Sequence, residues 1–297
     1  MFKAAPFAAW KWRRVFLVAA VVAVSGMLAA CAGQAGRTGE GADYIFVQAH
    51  RGASADYPEL TLAAFEGAIE AGADRIEMDL ALTADDEVVL VHDTTVDRTT
   101  DGSGRVGSHT LEELKQLDAG SWYSARFAGE EIPTLPEVIE LVDGRATLNL
   151  EVKTSGRSGM EVSRTIERAV QIVNERGALD WVFFSSFDRF ALDEVRSVEP
   201  EARLMLIDWN EPSSYSGLDV AINNDYFGWT PAGEYATQER IERADEAGLS
   251  VHTGASPGRG LHELVSWGID GFSSGDPGAL VDFLERHGYR EGEYIGR

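Results

Sequence analysis

The sequence has little cysteine and far less positive than negative charge. Cys31 is the one cysteine among 297 residues, and an exported protein gains nothing from one unpaired thiol. Lysine and arginine together number 26 against 49 aspartates and glutamates, so the formal charge is −23. This charge argues against a nucleic-acid partner and against broad adhesion to anionic lipid. It also means that an anionic substrate needs a site that is locally positive or that holds a cation.

The N-terminal apolar run is too short for a membrane span, which needs about 20 apolar residues. It covers the 16 residues 15–30 and follows the basic residues Lys3, Lys11, Arg13 and Arg14. This order is typical of a secretory signal peptide over residues 1–30. The tetrapeptide Leu-Ala-Ala-Cys at residues 28–31 resembles the lipobox of bacterial lipoproteins. That resemblance implies a lipidated Cys31 that anchors the exported protein to the bacterial cell envelope; the alternative is an ordinary signal peptide with an incidental cysteine.

The segment after the signal has the composition of a linker. Residues 32–43 contain four glycines and show no apolar periodicity, so we predict a flexible tether over 31–43. One large domain follows at 44–290, and 291–297 form a short C-terminal tail. Removal of the four basic residues within 1–30 takes the formal charge from −23 to −27.

From residue 44 onward, strand patterns alternate with helix patterns. The predicted strands cover residues 45–49, 75–80, 88–91, 147–152, 182–185, 203–207, 225–229, 250–252 and 271–273. The predicted helices cover residues 61–71, 136–142, 161–175, 189–198, 237–247, 261–267 and 277–285. Alternation over about 250 residues predicts a (β/α)8 barrel, in which parallel strands lie inside a ring of helices.

The predicted strands outnumber those of an eight-stranded barrel by one, so one strand lies off the barrel. The segment between residues 80 and 88 is too short for a crossover helix. We therefore expect the chain to return there in extended form, which makes the barrel irregular near its second and third strands.

Two acids on one apolar strand indicate a cation site. Residues i and i+2 of a strand share a face, so Glu77 and Asp79 point together while Ile76, Met78 and Leu80 pack on the other side. Two like charges in one pocket repel unless a cation lies between them. Ca²⁺ and Mg²⁺ bind carboxylate oxygens. A solvated strand face explains such a pair equally well when the pair occurs alone.

The pattern recurs on neighbouring strands. Glu151 and Lys153 are two residues apart at the end of the fourth predicted strand, His50 and Arg51 end the first, and His92 ends the third. Barrel enzymes carry their chemistry at the carboxyl ends of the strands. Four successive strands with charged or imidazole ends therefore predict an active site there.

These residues belong to an ordered set of motifs along the chain: His50-Arg51-Gly52, Pro58-Glu59-x-Thr61-Leu62-Ala63-Ala64-Phe65, Glu77-x-Asp79, Val89-x-Val91-His92-Asp93, Arg98-Thr99-Thr100 and Glu151-x-Lys153. In order and spacing, these motifs resemble those of the glycerophosphodiester phosphodiesterase family, which belongs with phosphatidylinositol-specific phospholipase C to a superfamily of barrel phosphodiesterases. The similarity runs from about residue 45 to residue 153, with weaker similarity at 185–187 and 270–277.

The resemblance implies metal-dependent hydrolysis of glycerophosphodiesters to glycerol 3-phosphate and an alcohol. One divalent cation, Ca²⁺ or Mg²⁺, is expected on three acids: Glu77, Asp79 and Glu151. The general base and the general acid are expected to be two histidines: His50 and His92. The phosphate is expected to contact two cationic side chains: Arg51 and Lys153. The chemistry agrees, since hydrolysis needs charge neutralisation, an activated water and a protonated leaving group.

Two alternative functions remain, of which one is catalytic and one is not. One is phospholipase C- or D-like cleavage of phospholipid or sphingolipid head groups, and the other is a non-catalytic lipoprotein that binds phosphodiesters. Three further histidines match no family motif and are interpreted as surface residues: His109, His262 and His287.

The segment 94–132 is similar in length and composition to the family's small insertion over the barrel mouth. Its aromatic residues Trp122, Tyr123 and Phe127 are candidates for a lid, and equally for a hydrophobic cluster beneath a long loop.

Two residues near the pocket differ from the pattern of the family that the chain resembles. Leu60 stands where the family usually has asparagine, and His252 stands where it tends to have tryptophan. With the loop that contains Arg259, the second departure predicts a smaller and more polar wall, and a preference for glycerol or inositol over choline. His252 itself is predicted to be a buried polar residue rather than a substrate contact.

Overall fold

The computed structural model describes residues 44–209, 216–255, 260–292 and 294. The predicted signal peptide, Cys31, the tether, Arg259 and most of the predicted tail lie outside these residues. Within the described ranges, no helix has both the length and the hydropathy needed to cross a membrane.

In the part of the chain that the structure describes, nine strands form one sheet, and eight of them close into a parallel barrel. The strands are β1 Phe46–His50, β2 Arg75–Leu82, β3 Val88–Leu90, β4 Thr147–Val152, β5 Val182–Ser186, β6 Arg203–Asp208, β7 Gly228–Pro231, β8 Ser250–Gly254 and β9 Gly271–Ser274. Strand β1 pairs in parallel with both β2 and β9, which closes the barrel. The predicted (β/α)8 barrel is confirmed.

Strand β3 is the additional strand. It pairs antiparallel with β2, with Leu80 opposite Leu90 and Leu82 opposite Val88. The expected extended return near the second and third strands is therefore confirmed. Because β3 runs backwards along β2, its carboxyl end reaches the barrel at the level of Asp79, whose carbonyl accepts a hydrogen bond of 3.2 Å from the Val91 amide.

Helices follow the strands around the barrel. They are α1 Leu62–Glu70, α2 Leu111–Leu114, α3 Leu135–Val142, α4 Gly159–Glu175, α5 Arg189–Val198, α6 Gly217–Asn223, α7 Gln238–Glu246, α8 Leu261–Ser266 and α9 Pro277–Arg286.

Sequence patterns missed α2 and α6. Helix α6 has two buried residues, Leu218 and Ala221, and Ser216 caps its start by accepting a hydrogen bond from the Asp219 amide. Two apolar residues are too few to produce a recognisable helical period. Strand β7 begins at Gly228, three residues after the predicted start.

The main hydrophobic core lies between the outer faces of the strands and the helices. Ile76, Met78 and Leu80 of β2 are buried in it, as the alternation along this strand predicted. A second cluster lies between the insertion and the β2–β3 pair and consists of Ala81, Val89, Val91, Val96, Val106, Leu114, Ala119 and Ile132.

The three aromatic residues of the insertion are not members of that second cluster. Tyr123 contacts both Trp122 and Phe127 edge-on, and Phe127 also lies against Tyr57, with 5.4 Å between ring centroids. The Tyr123 hydroxyl donates a hydrogen bond to the Ala55 carbonyl. The insertion is thus held against the loop that follows β1, on the face where the barrel strands end.

Candidate active site

Three buried acids meet inside the barrel at the carboxyl end of β2 and β4. Asp79 lies opposite Glu151 in the parallel pairing of these strands, and Glu77 precedes Asp79 on the same face. The three residues are only 3%, 1% and 6% exposed for Glu77, Asp79 and Glu151. One carboxylate oxygen from each residue lies within 4.8 Å of the corresponding oxygens of the other two. The structure thus brings together the three acids predicted from the strand ends.

Burial makes this cluster electrostatically costly. Burial, and then the charges of Asp79 and Glu151, raise the pKa of Glu77 well above its ordinary value. Burial and Asp79 likewise raise the pKa of Glu151. Two protein cations offset part of the charge. Lys153 Nζ lies 3.1 Å from Asp79 Oδ1 and 3.0 Å from Glu151 Oε1, and Arg51 Nε lies 3.4 Å from Asp79 Oδ2.

The cluster suits a hard divalent cation. Oε1 of Glu77 is buried and meets no hydrogen-bond donor among the described residues, so a lone pair is left that a metal ion can accept. All three ligand groups are carboxylates, which Ca²⁺ and Mg²⁺ prefer. The positive charges of Lys153 and Arg51 are also fewer than the three carboxylates, so the cluster can accept a further positive charge.

The turn after β1 places Arg51 against the acids. Arg51 and Gly52 have φ of +59° and +80°, and the Arg51 amide donates a hydrogen bond of 2.9 Å to Glu77 Oε2. A Cβ at position 52 would meet the Ala64 backbone at 2.7 Å. Glycine is therefore required there by both conformation and space.

Leu60 has a positive φ as well, +59°, although its side chain is buried. Asparagine adopts this conformation more readily than leucine. Leucine at position 60 therefore fits this positive-φ conformation less well than the asparagine of the family pattern, in the loop that contains Glu59.

His50 lies at the end of β1, with Nε2 3.9 Å from Glu77 Oε2. Burial, and then the charge of Arg51, lowers the pKa of His50 to about 4, and the charge of His92 acts in the same direction. The imidazole is therefore neutral at neutral pH.

His92 follows β3, and the backward course of that strand brings the preceding Val91 amide to the Asp79 carbonyl. Its Nδ1 lies 2.7 Å from Asp93 Oδ1. The Arg98 guanidinium, and to a smaller extent His92 itself, lower the pKa of Asp93 to about 2. Because an ionised carboxylate only accepts hydrogen bonds, Nδ1 of His92 donates and its Nε2 is left for other chemistry.

The other histidines lie elsewhere. His252 is 1% exposed, points into the barrel interior and lies 3.1 Å from Gln48 Nε2. Burial, and then Arg75, lowers its pKa to about 3. His252 is therefore a buried polar residue, as predicted. His262 and His287 are exposed and pack against each other, while the half-buried His109 contacts the Ser103 carbonyl.

Sequence patterns missed an exposed aromatic pair on the same rim. Phe187 directly follows β5 and Trp209 directly follows β6, and their rings meet edge-to-face with centroids 5.0 Å apart. Phe187 is 44% and Trp209 59% exposed. The signal available in the sequence was a large aromatic residue immediately after each strand.

A closed parallel barrel that gathers acids, cations and two imidazoles where its strands end defines a (β/α)8-barrel hydrolase with the site on the usual face. The chain belongs to the Glycerophosphoryl diester phosphodiesterase family, whose sequence profile matches residues 50–279. The family and enzyme class expected from the sequence, a phosphoric diester hydrolase, are thereby confirmed.

Individual relatives agree. A glycerophosphodiester phosphodiesterase of Caldanaerobacter subterraneus is 35% identical over 245 residues, which cover 82% of this chain and 98% of the relative. One of Bacillus altitudinis is 36% identical over 252 residues, covering 80% and 97%. The structure of an Oleispira antarctica phosphodiesterase in complex with the product sn-glycerol-3-phosphate is also similar, with a TM-score of 0.71 and 30% sequence identity. The match covers 82% of this chain and 97% of the Oleispira antarctica chain.

Proposed function

We propose that this chain hydrolyses glycerophosphodiesters to glycerol 3-phosphate and an alcohol, with the help of one divalent cation. The observation that carries this proposal is the cluster of Glu77, Asp79 and Glu151, flanked by His50 and by cationic side chains, in a member of this family. The product bound to the Oleispira antarctica relative supports the choice of substrate class.

The acid cluster has one task in this proposal. Glu77, Asp79 and Glu151 would hold Ca²⁺ or Mg²⁺, which when bound neutralises the charge of the phosphodiester. Lys153 and Arg51 act with it on the phosphate. Although burial by itself lowers the pKa of Lys153, Asp79 and Glu151 raise it above the ordinary value, so this ammonium group stays charged.

The two histidines have separate tasks. His50, which is neutral because burial lowers its pKa to about 4, accepts a proton from the attacking water. His92, as the imidazolium, delivers its Nε2 proton to the leaving alkoxide and becomes neutral, while Asp93 Oδ1 accepts the hydrogen bond from Nδ1 at 2.7 Å. The environments thus favour opposite roles for the two imidazoles.

The direct test is a turnover screen. Purified protein is incubated with glycerophosphocholine, -ethanolamine, -inositol and -glycerol, and separately with intact phospholipid and sphingolipid, with each divalent ion or excess chelator. Release of glycerol 3-phosphate from the glycerophosphodiesters supports the proposal. Faster cleavage of the intact lipids would favour the phospholipase-like alternative, and tight binding without turnover would favour the binding lipoprotein.

We further propose that the protein is exported and anchored to the bacterial cell envelope through a lipidated Cys31. The support is the order of the basic segment, the apolar run and the Leu-Ala-Ala-Cys tetrapeptide. This anchor would place the barrel near glycerophosphodiesters released from membrane lipids.

A further inference from the structure

A single arginine connects the turn that carries His50 with the segment that carries His92. Arg98 lies in the insertion after β3. Its Nε donates a hydrogen bond of 2.7 Å to Asp93 Oδ2, and its two terminal nitrogens donate bonds of 2.9 and 2.7 Å to the two carboxylate oxygens of Glu59. Glu59 belongs to the loop between β1 and α1, so the three donors of one guanidinium cross from one loop to the other.

On the side of His92, the two oxygens of Asp93 have different partners. Oδ1 accepts the hydrogen bond from His92 Nδ1 at 2.7 Å, and Oδ2 accepts the one from Arg98. With both oxygens engaged, rotation of the Asp93 carboxylate would break one of the two bonds. Arg98 thereby fixes the acceptor that sets the orientation and the tautomer of His92.

On the side of His50, Glu59 is shared between two arginines. Its Oε1 accepts hydrogen bonds from Arg98 at 2.7 Å and from Arg51 Nη1 at 3.1 Å. Arg51 follows His50 directly, and its Nε lies 3.4 Å from Asp79. The contacts therefore form a continuous path from His92 through Asp93, Arg98 and Glu59 to Arg51 and the acid cluster.

We propose that Arg98 is a positioning residue, which holds the Asp93–His92 pair at a fixed place relative to Arg51 and the acid cluster. This inference rests on the proposed function. The planar guanidinium can bind both carboxylates at once, whereas a lysine ammonium is a single point that cannot span them in the same geometry. Since 43% of the Arg98 side chain is exposed, its ion pairs contribute little to global stability. Their effect is instead local, since they keep Asp93 and His92 in one arrangement.

The test compares Arg98→Lys with a matched control. Arg145 forms the same two-pronged contact with Glu66, at 3.0 and 2.8 Å, with similar exposure of 44%. This pair joins the end of α3 to α1 and touches none of the site residues above. Arg145→Lys should leave kcat and KM unchanged. Arg98→Lys should lower kcat by about 10- to 100-fold, as expected for a misplaced catalytic group. KM should change by less than about threefold because Arg51 keeps its own contact with Glu59.

Three readouts separate positioning from a loss of fold. The melting temperature of Arg98→Lys should equal that of Arg145→Lys. In a His92→Ala background, Arg98→Lys should cost little further activity, since its effect passes through His92. Guanidinium ion added to Arg98→Ala should restore part of kcat, whereas ammonium should not.

A nuclear magnetic resonance measurement tests the same contacts without turnover. The Nδ1–H signal of His92, assigned by comparison with His92→Gln, should be present in the wild type and in Arg145→Lys, and it should shift or vanish in Arg98→Lys. Unchanged signal and unchanged kcat in Arg98→Lys would overturn the positioning role. An equal loss of kcat with and without His92 would overturn it too. A wild type that shows the signal but hydrolyses no phosphodiester would contradict the proposed function instead.

Discussion

Nζ of Lys153 lies 3.1 Å from Oδ1 of Asp79, and the Asp79 side chain is only 1% exposed. Asp79 lies on β2 and Lys153 directly follows the neighbouring strand β4. The ammonium also lies 3.0 Å from Glu151. A buried carboxylate is stable only when it is paired. Lys153, together with Arg51, thus offsets part of the charge of the acid cluster without a metal. We therefore expect metal removal to affect activity far more than fold.

Metal dependence is the first prediction. Excess chelator should abolish turnover without unfolding the protein, and Ca²⁺ or Mg²⁺ should restore it. Glu77→Gln, Asp79→Asn and Glu151→Gln should each cost about 3 kcal/mol or more of transition-state stabilisation, measured as kcat/KM. The exposed Glu66→Gln is the control and should have wild-type kcat/KM. Full activity in chelator would remove the metal from the mechanism.

Metal affinity should depend on pH, which is the second prediction. Burial, Asp79 and Glu151 raise the pKa of Glu77 above 4.5, so a proton competes with the cation for this carboxylate. Fewer protons are bound as pH rises, and the apparent affinity for Ca²⁺ or Mg²⁺ should therefore strengthen from about pH 5 to about pH 8. Calorimetry across this range measures it. Glu77→Gln should bind more weakly and with a flatter pH dependence; a flat profile in the wild type would contradict the competition.

The third prediction concerns the histidine pair. His50→Ala and His92→Ala should each lose at least about 100-fold in kcat/KM, because general acid–base catalysis contributes that much. The double variant should lose far less than the product of the two losses, since the residues act as a unit. The wild-type kcat/KM should be bell-shaped in pH. The substitution of the exposed His287 by alanine is the control. Near-normal turnover in His92→Ala would contradict the assignment of His50 and His92 as acid–base partners.

Much of the acid cluster was predictable because it follows from strand geometry alone. The alternation of Ile76, Glu77, Met78 and Asp79 defines which side chains face the helices and which face the barrel axis. The same rule applied to β4 places Glu151 beside Asp79. Parallel pairing then brings the two strand ends together without any knowledge of loops.

Contacts between loops were not predictable in this way. Arg98 and Glu59 are 39 residues apart along the chain, and no periodicity links them. Their pairing depends on the antiparallel return of β3 and on the packing of the insertion against the loop after β1. The family motifs contained both residues but assigned neither a task. Phe187 and Trp209 were missed for a similar reason, since their contact depends on where two neighbouring strands end relative to each other.

The fourth prediction tests the anchor. Cys31→Ser should release the protein from the membrane fraction of a bacterial host, because the proposed lipid anchor is attached through that thiol. Activity per molecule should be unchanged, since a flexible tether is predicted between the cysteine and the barrel. Fractionation followed by immunoblotting and a turnover assay measures both. A wild-type protein that is already soluble after export would contradict the lipobox interpretation.

The fifth prediction concerns the alcohol part of the substrate. An aromatic wall binds the methyl groups of choline well. Where the family tends to have tryptophan, His252 points into the barrel interior and bonds to Gln48, so it presents no such wall at the rim. Glycerol or inositol should therefore be preferred over choline.

The expected margin is about 1–3 kcal/mol, as for one pocket contact. Measuring kcat/KM for glycerophosphocholine, glycerophosphoinositol and glycerophosphoglycerol gives the order directly. Trp209→Ala supplies the matched comparison, because Phe187 and Trp209 are the aromatic pair that remains exposed where β5 and β6 end. If this pair takes no part, the variant keeps the wild-type order. Choline preferred at least about tenfold in the wild type, with the preference lost in Trp209→Ala, would show that this pair forms the wall that His252 does not.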